Sequence, residues 1–172
     1  MNEALMERIT NDIQKLFKEA KREIADFSLS EGEQIIYSLS EYPAIVDLPF
    51  QMVIIQDHMG RMKYSSRTWD RSYDLIRWKE GIYNLDRLRI LSQDKQLSLD
   101  QEEKLLAELK KISKSSLADS LAKKGVIVLD GSEWELKLAY ESFNRTFKWN
   151  TPNEQIEIFR PLIEWMLRLS EE

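Results

Sequence analysis

The sequence predicts an α+β fold: an antiparallel sheet of about five strands, with an N-terminal, a middle and a C-terminal helix packed mainly on one side of it. Residues 125–170 carry the clearest signal, because aromatic-rich runs with strand periodicity lead there into a strongly apolar helical run. Residues 1–27 repeat apolar side chains at helical spacing. The chain has 172 residues, the usual size of one domain. We therefore expect a single domain over residues 1–172, in which the helix over 1–27 is the candidate for a semi-independent unit.

The first half of the chain is predicted to contain two helices and three or four strands. The N-terminal helix has one apolar face, formed by Leu5, Ile9, Ile13, Leu16, Phe17, Ala20, Ile24 and Phe27. The other elements are a strand at 34–39, a hairpin of strands at 50–56 and 61–69, a short helix at 70–78, and a strand or extended connector at 82–92. Gly60 ends the link between the two hairpin strands and can adopt the positive φ that such a turn requires.

The second half is predicted to contain two capped helices on either side of three strands. Ser98 and Gln101 have the spacing of a capping box, which opens a helix to about Ile112. Strands are predicted at 126–130, before the turn Asp130–Gly131, and at 134–140 and 143–149. Thr151 is a helix cap in front of Pro152, so a final helix is expected over 152–169. Pro161 inside this helix predicts a kink or a break.

The composition excludes several kinds of functional site. The chain has one His and no Cys, which excludes disulfides, thiolate catalysis and Cys-ligated metal sites. The two main nucleotide-binding signatures, G-x-x-x-x-G-K-[ST] and G-x-G-x-x-G, do not occur. The first residues lack the pattern of a signal peptide, and no apolar run approaches the roughly 20 residues that span a bilayer. We expect a cytoplasmic protein and predict neither a cofactor nor a metal.

A basic, aromatic segment is the candidate binding site. Residues 61–79 contain six basic residues and two acids, whereas the whole chain has a net charge of −5. Arg, Trp and Tyr are the residue types that contribute most to protein–protein binding. The predicted partner-binding residues are Arg67, Trp69, Arg71, Tyr73, Arg77 and Trp78. Among the tryptophans, Trp69 and Trp78 are the candidates for exposed contact residues.

Two alternatives remain open. The first is an enzyme that uses carboxylates or a metal, either near His58, with Asp57, Asp70 and Asp74, or near Asp130, with Glu133 and Glu135. The structural interpretation of these residues is a solvent-facing turn around His58 and the charged outer face of a strand around Glu133. The second alternative is binding of single-stranded nucleic acid, in which the cations of 61–79 contact phosphates and its rings stack on bases.

The C-terminal block resembles an arrangement that recurs in small, uncharacterised bacterial α+β proteins. The matching features are a strand ending in Leu129-Asp130-Gly131, an aromatic-rich strand from Trp134 to Tyr140, a strand from Phe143 to Trp149, the cap Thr151-Pro152, and a helix from Ile156 to Leu169. Many of those proteins look like immunity partners of bacterial toxins or other accessory binding proteins. The resemblance covers about a quarter of the chain. Its motifs are structural, so it assigns no functional residue.

The sequence therefore favours a non-catalytic, cytoplasmic bacterial protein that binds another protein, with an immunity-type role as one form of that function. On this interpretation, charge reversal at Arg67 and Arg71 is expected to abolish partner binding and to leave thermal stability nearly unchanged. The sequence does not identify the partner or the oligomeric state.

Overall fold

The computed structural model describes residues 3–42, 49–81, 88–114, 132–150 and 157–171. Its elements are α1 (Glu3–Ala25), β1 (Gln34–Tyr42), β2 (Phe50–Gln56), β3 (Met62–Trp69), α2 (Arg71–Lys79), β4 (Ile90–Gln96), α3 (Leu99–Ser113), β5 (Glu133–Tyr140), β6 (Phe143–Asn150) and α4 (Arg160–Glu171). The six strands form one antiparallel sheet in the order β4-β3-β2-β1-β5-β6. The α+β prediction is confirmed. Within the described residues, no helix combines the length and the apolar character needed to cross a membrane.

One face of the sheet carries the main core, and we call it the apolar face. Tyr37 on β1 stands opposite Ile54 on β2 and Leu138 on β5, so these three side chains point to the same side. They belong to one buried cluster with Leu109 of α3 and Met166 of α4. Helices α3 and α4 therefore cover the apolar face.

The first helix lies on the opposite face, which we call the α1 face. Side chains alternate along β3, so Arg67 and Trp69 point away from the apolar face. Trp69 is buried in a second, smaller cluster with Leu16, Ala20 and Ile24 of α1. The expectation that the helices lie mainly on one side is therefore wrong for α1.

The sequence of β2 contains the physical reason for this arrangement. Met52, Val53, Ile54 and Ile55 are all buried, although alternate residues point to opposite faces. A continuous apolar run of this kind is typical of a strand that is covered on both sides. A helix is therefore needed on each face of the sheet.

The turns and caps that the sequence predicts are present. Gly60 has φ of 85° in the β2–β3 turn. Ser98 Oγ accepts from the backbone N–H of Gln101, while Gln101 Oε1 accepts from the N–H of Ser98, which completes the capping box of α3. The short helix after β3 is confirmed as α2, with Asp70 as its N-cap.

Strand β4 lies partly outside its predicted range. The prediction covered residues 82–92, of which 82–87 lie outside the described residues, and the strand itself runs from Ile90 to Gln96. It is an edge strand of the described sheet, and most of its side chains are exposed. An exposed edge strand does not need the apolar alternation by which strands are recognised in a sequence. With β4 at its edge, the described sheet has six strands.

In the C-terminal block, β5 and β6 occur as predicted. The predicted strand at 126–130 and the Thr151 cap lie outside the described residues. Strand β5 pairs with β1 along one edge, from Glu133 to Leu138, and with β6 along the other. The regular part of the last helix begins at Arg160, and Pro161 occupies its first turn. This agrees with the predicted break, because proline is tolerated in the first helical turn and not in the interior.

The β5–β6 turn contains a strained residue, and relieving the strain is expected to stabilise the fold. Tyr140 pairs with Phe143, so Glu141 and Ser142 form the turn, and Glu141 has φ of 51°. A residue with a Cβ atom loses roughly 1 kcal/mol or more in this left-handed region. We predict that Glu141→Gly raises the free energy of unfolding by about 1 kcal/mol, measured by urea denaturation.

The neighbouring turn residue provides the control for this change. Ser142 does not have a positive φ. Ser142→Gly is therefore expected to leave stability unchanged or to lower it slightly. A Glu141→Gly protein that is less stable than the wild type would contradict the assignment of strain to Glu141.

Candidate protein-binding surface

Helix α2 begins directly after β3, and hydrogen bonds of its N-cap, Asp70, hold its start in place. Asp70 Oδ1 accepts a hydrogen bond of 3.2 Å from the backbone N–H of Tyr73, which caps the helix. The backbone N–H of Asp70 donates to the carbonyl of Arg89 at 2.8 Å. The start of α2 is thus attached to the segment that leads into β4.

A buried carboxylate attaches the body of α2 to the sheet. Asp74 has an exposed fraction of 5%. Its Oδ2 accepts from the indole Nε1 of Trp69 and from the backbone N–H of Arg89, each at 2.8 Å. Arg77 Nη1 lies 3.5 Å from its Oδ1. A buried charge destabilises a protein unless it is paired and hydrogen-bonded, and here both oxygens of the carboxylate have partners.

These contacts place an exposed tyrosine against two arginines. The guanidinium of Arg89 lies 4.6 Å from the ring centre of Tyr73, and that of Arg77 lies 5.4 Å from it. Tyr73 is 41% exposed. Ile76, one helical turn further, is 56% exposed. We call Tyr73, Ile76, Arg77 and Arg89 the α2 surface.

Three of the predicted binding residues contact α1 instead. Arg67 Nη1 donates to the carbonyl oxygens of Glu23, at 3.3 Å, and of Asp26, at the C-terminal end of α1. Its guanidinium also lies 4.3 Å from the ring centre of Phe27. A cation at this end of a helix interacts favourably with the exposed carbonyls and with the helix dipole.

Trp69 at the end of β3 and Arg71 at the start of α2 contact Phe17 of α1. The ring of Trp69 meets that of Phe17 edge-on, with centroids 5.1 Å apart. The guanidinium of Arg71 lies 5.2 Å from the same ring. The six predicted residues therefore form two groups, with Arg67, Trp69 and Arg71 against α1, and with Tyr73, Arg77 and Trp78 on α2.

Two expectations from the sequence need correction. Trp69 is 0% exposed, so it is not a contact residue of the folded surface, and Trp78 is only partly exposed because it packs against the cluster around Trp69. Charge reversal at Arg67 is also not neutral for stability, because it would place a carboxylate against the carbonyls that end α1. Arg67 and Arg71 therefore cannot test binding separately from folding.

Sequence reasoning missed three residues of this region. Arg89 contacts α2 through the hydrogen bond from its backbone N–H to Asp74, fifteen residues earlier in the chain. No local sequence pattern predicts a contact at that separation. Asp74 was considered as a metal ligand, whereas it accepts hydrogen bonds within the chain. Ile76 is an exposed apolar residue in a short, weakly amphipathic helix, so no pattern distinguished it from a core residue.

Asp57 and His58 of the enzyme alternative lie in a structural turn. Asp57 Oδ1 accepts from the backbone N–H groups of Met59, at 2.8 Å, and Arg61, at 3.0 Å. Its Oδ2 pairs with Arg61 Nε at 3.1 Å. His58 is exposed beside it. Nowhere in the described ranges do three or more His, Asp or Glu residues converge as metal ligands would. Asp130 lies outside those ranges.

Glu135 belongs to a charge cluster on the α1 face of β5 and β6. Its two oxygens lie 2.7 Å from Lys137 Nζ and 2.6 Å from Lys148 Nζ. Partial burial raises the pKa of Glu135, but the hydrogen bonds from the two lysines outweigh it and leave the pKa below its ordinary value. A carboxylate held in its ionised form in this way does not serve as a general acid.

Comparison with known proteins adds no assignment. No protein-family model matches the chain, and no curated protein matches it significantly.

Removal of the Asp74 carboxylate is predicted to destabilise the fold strongly. Asp74→Ala leaves the indole N–H of Trp69 and the backbone N–H of Arg89 without their acceptor. We expect a loss of about 2–4 kcal/mol in the free energy of unfolding, measured by urea denaturation. Asp74→Asn is expected to lose less, because the amide oxygen can still accept a hydrogen bond.

The control for this prediction is Asp94→Ala, which removes an exposed carboxylate from β4 and should change stability by no more than about 0.5 kcal/mol. If Asp74→Ala were as stable as Asp94→Ala, the Asp74 contacts would not hold α2 in place.

We predict that the folded protein loses stability in acid, where Glu135 becomes protonated. Because the folded pKa of Glu135 lies below the ordinary value of 4.5, the unfolded chain binds the proton more tightly. The stabilisation is therefore present above about pH 4.5 and is lost as the pH falls through the folded pKa. We predict that Glu135→Gln lowers the free energy of unfolding by about 1 kcal/mol at pH 7 and that the difference narrows in acid.

The matched control is Glu133→Gln on the same strand, where the side chain is exposed. Urea denaturation of both variants at pH 7 and near pH 3 checks the prediction. A Glu135→Gln effect that is the same at both pH values would contradict the role of the ionised carboxylate.

Proposed function

We propose that this chain acts by binding another protein through the α2 surface, and that the partner presents acidic and apolar side chains there. The observation that carries the proposal is Tyr73, a half-exposed ring in contact with the guanidinium groups of Arg77 and Arg89 beside the exposed Ile76. Tyrosine and arginine are the residue types that contribute most per contact to protein interfaces. The two cations favour an acidic partner in an otherwise acidic chain.

The fixed position of the arginines supports this proposal. Arg77 pairs with the buried Asp74, and Arg89 Nε lies 3.4 Å from Asp70 Oδ2. Long basic side chains that are already ordered lose less conformational entropy when a partner binds. Binding to such a preorganised surface loses less conformational entropy than binding to a surface of flexible lysines.

The nucleic-acid alternative receives less support from the geometry. Stacking on bases requires several exposed rings along a basic groove. Of the four rings between Arg61 and Lys79, Tyr64 and Trp69 are 0% exposed. Tyr73 is the ring that is well exposed. For the enzyme alternative, the groups at Asp57 and Glu135 have partners within the chain.

The proposed class is a cytoplasmic binding protein without catalytic activity of its own. A bacterial toxin is one partner that would agree with the resemblance of the C-terminal block to immunity-type proteins. The acidic and apolar chemistry of the partner surface is the property that the α2 surface requires of any such partner.

The test is a binding comparison between matched variants. In Tyr73→Ser/Ile76→Ser, both exposed apolar groups of the α2 surface are removed, and far-ultraviolet circular dichroism checks that the variant is folded. We predict that a protein captured from host lysate by the wild type is lost, or bound at least tenfold more weakly after purification, because these groups are central to the contact.

The matched control is Met59→Ser in the β2–β3 turn, where the side chain is 63% exposed and lies outside the α2 surface. It should bind like the wild type. Equal capture by the double variant and by Met59→Ser would refute the assignment of the α2 surface. If the wild type instead captured RNA, with an affinity that falls steeply as the salt concentration rises, the function would be nucleic-acid binding and not protein binding.

A further inference from the structure

Helix α1 covers half of the segment that the sequence singled out for binding. Arg67 binds the carbonyls at the C-terminal end of α1, and Trp69 and Arg71 contact Phe17 on its inner side. The same residue types that favour a partner protein thus bind the chain's own N-terminal helix. The occupant of this surface is α1.

The contacts of α1 differ in kind from those of the main core. Two of them are cations over rings, Arg71 over Phe17 and Lys21 over Tyr42 at 3.7 Å. Just beyond the end of α1, Arg67 lies over the ring of Phe27. A cation–ring contact contributes less to stability than the complete burial of a large aliphatic side chain. These contacts hold α1 in a defined orientation beside the small apolar cluster around Trp69.

Besides the buried Val53, Ile55 and Trp69, the sheet surface on the side of α1 carries many polar side chains. Gln51 stands opposite both Ser40 and Arg67, so the three share the α1 face. Gln51 Nε2 donates to Ser38 Oγ at 3.0 Å, while Gln51 Oε1 is buried and has no hydrogen-bond partner among the described residues. Burial of an unsatisfied acceptor opposes closure of this face.

The two cores are unequal in size. In the described part of the chain, the cluster between the sheet, α3 and α4 contains twenty buried residues, whereas the cluster that includes α1 contains four. Among the α1 residues whose side chains are described, Leu16, Ala20 and Ile24 belong to that smaller cluster, and Phe17 packs against it. Elements with few buried apolar contacts open at a lower free energy than the whole fold.

We propose that α1 detaches from the sheet as a unit while the main core remains folded. The opened form exposes Arg67, Trp69 and Arg71 as one basic and aromatic surface that continues onto α2. In the closed form α1 covers this surface. The proposal concerns contacts within the chain and does not depend on whether the α2 surface binds a partner.

The chain has no cysteine, so a single introduced thiol reports on local opening. Ala20→Cys places the thiol on the sheet-facing side of α1, and Met166→Cys places it in the main core, and both positions are 0% exposed. The rate of reaction with a soluble disulfide reagent, divided by the rate of the urea-unfolded variant, gives the opening equilibrium at each site.

We expect the opening equilibrium constant measured at residue 20 to be at least tenfold larger than the one measured at residue 166. Phe17→Ala removes the ring that Trp69 and Arg71 contact and should raise the opening at residue 20 at least tenfold further, without changing the opening at residue 166. Lys18→Ala, at an exposed position of the same helix, should change neither.

Equal opening at the two positions, each matching global unfolding measured by urea, would overturn the proposal. The same conclusion would follow if Phe17→Ala raised both openings to the same extent, because α1 would then unfold only together with the main core.

Discussion

The carboxylate of Asp74 is the interaction on which the exposed surface of this protein depends. It joins the end of β3 through Trp69, the approach to β4 through the backbone of Arg89, and α2 through Arg77. A buried carboxylate is tolerated only where several donors converge on it. Its position therefore fixes the position of all three donors, and through Arg77 and Arg89 it also fixes the environment of Tyr73.

The second constraint is that the sheet is covered on two faces by unequal layers. The apolar face needs α3 and α4 because its side chains are large and aromatic, such as Tyr37 and Phe147. The α1 face has serines and Gln51 beside a few large apolar residues, Val53, Ile55 and Trp69, and the helix there is held in addition by directed contacts. Arg67 supplies them by binding the end of the helix rather than its side.

Much of the fold could be predicted from local signals, whereas the site could not. Gly60, the Ser98 capping box and Pro161 each act within a few residues, and each has the predicted effect on the chain. The binding segment was predicted from residue types alone. Its exposure depends on what packs against it, and the burial of Trp69 by α1 brings together residues about fifty positions apart. Arg89 was missed for the same reason.

The sequence by itself determined the fold class, the places where helices begin and strands turn, and the absence of cysteine chemistry. These properties follow from periodicity, capping and composition, which are local. Only the tertiary structure decided which face of the sheet α1 covers, which arginines are engaged within the chain, and that Tyr73 rather than Trp69 is presented to solvent. These outcomes depend on burial and on donors that meet at one carboxylate from distant parts of the chain, and no local pattern encodes them.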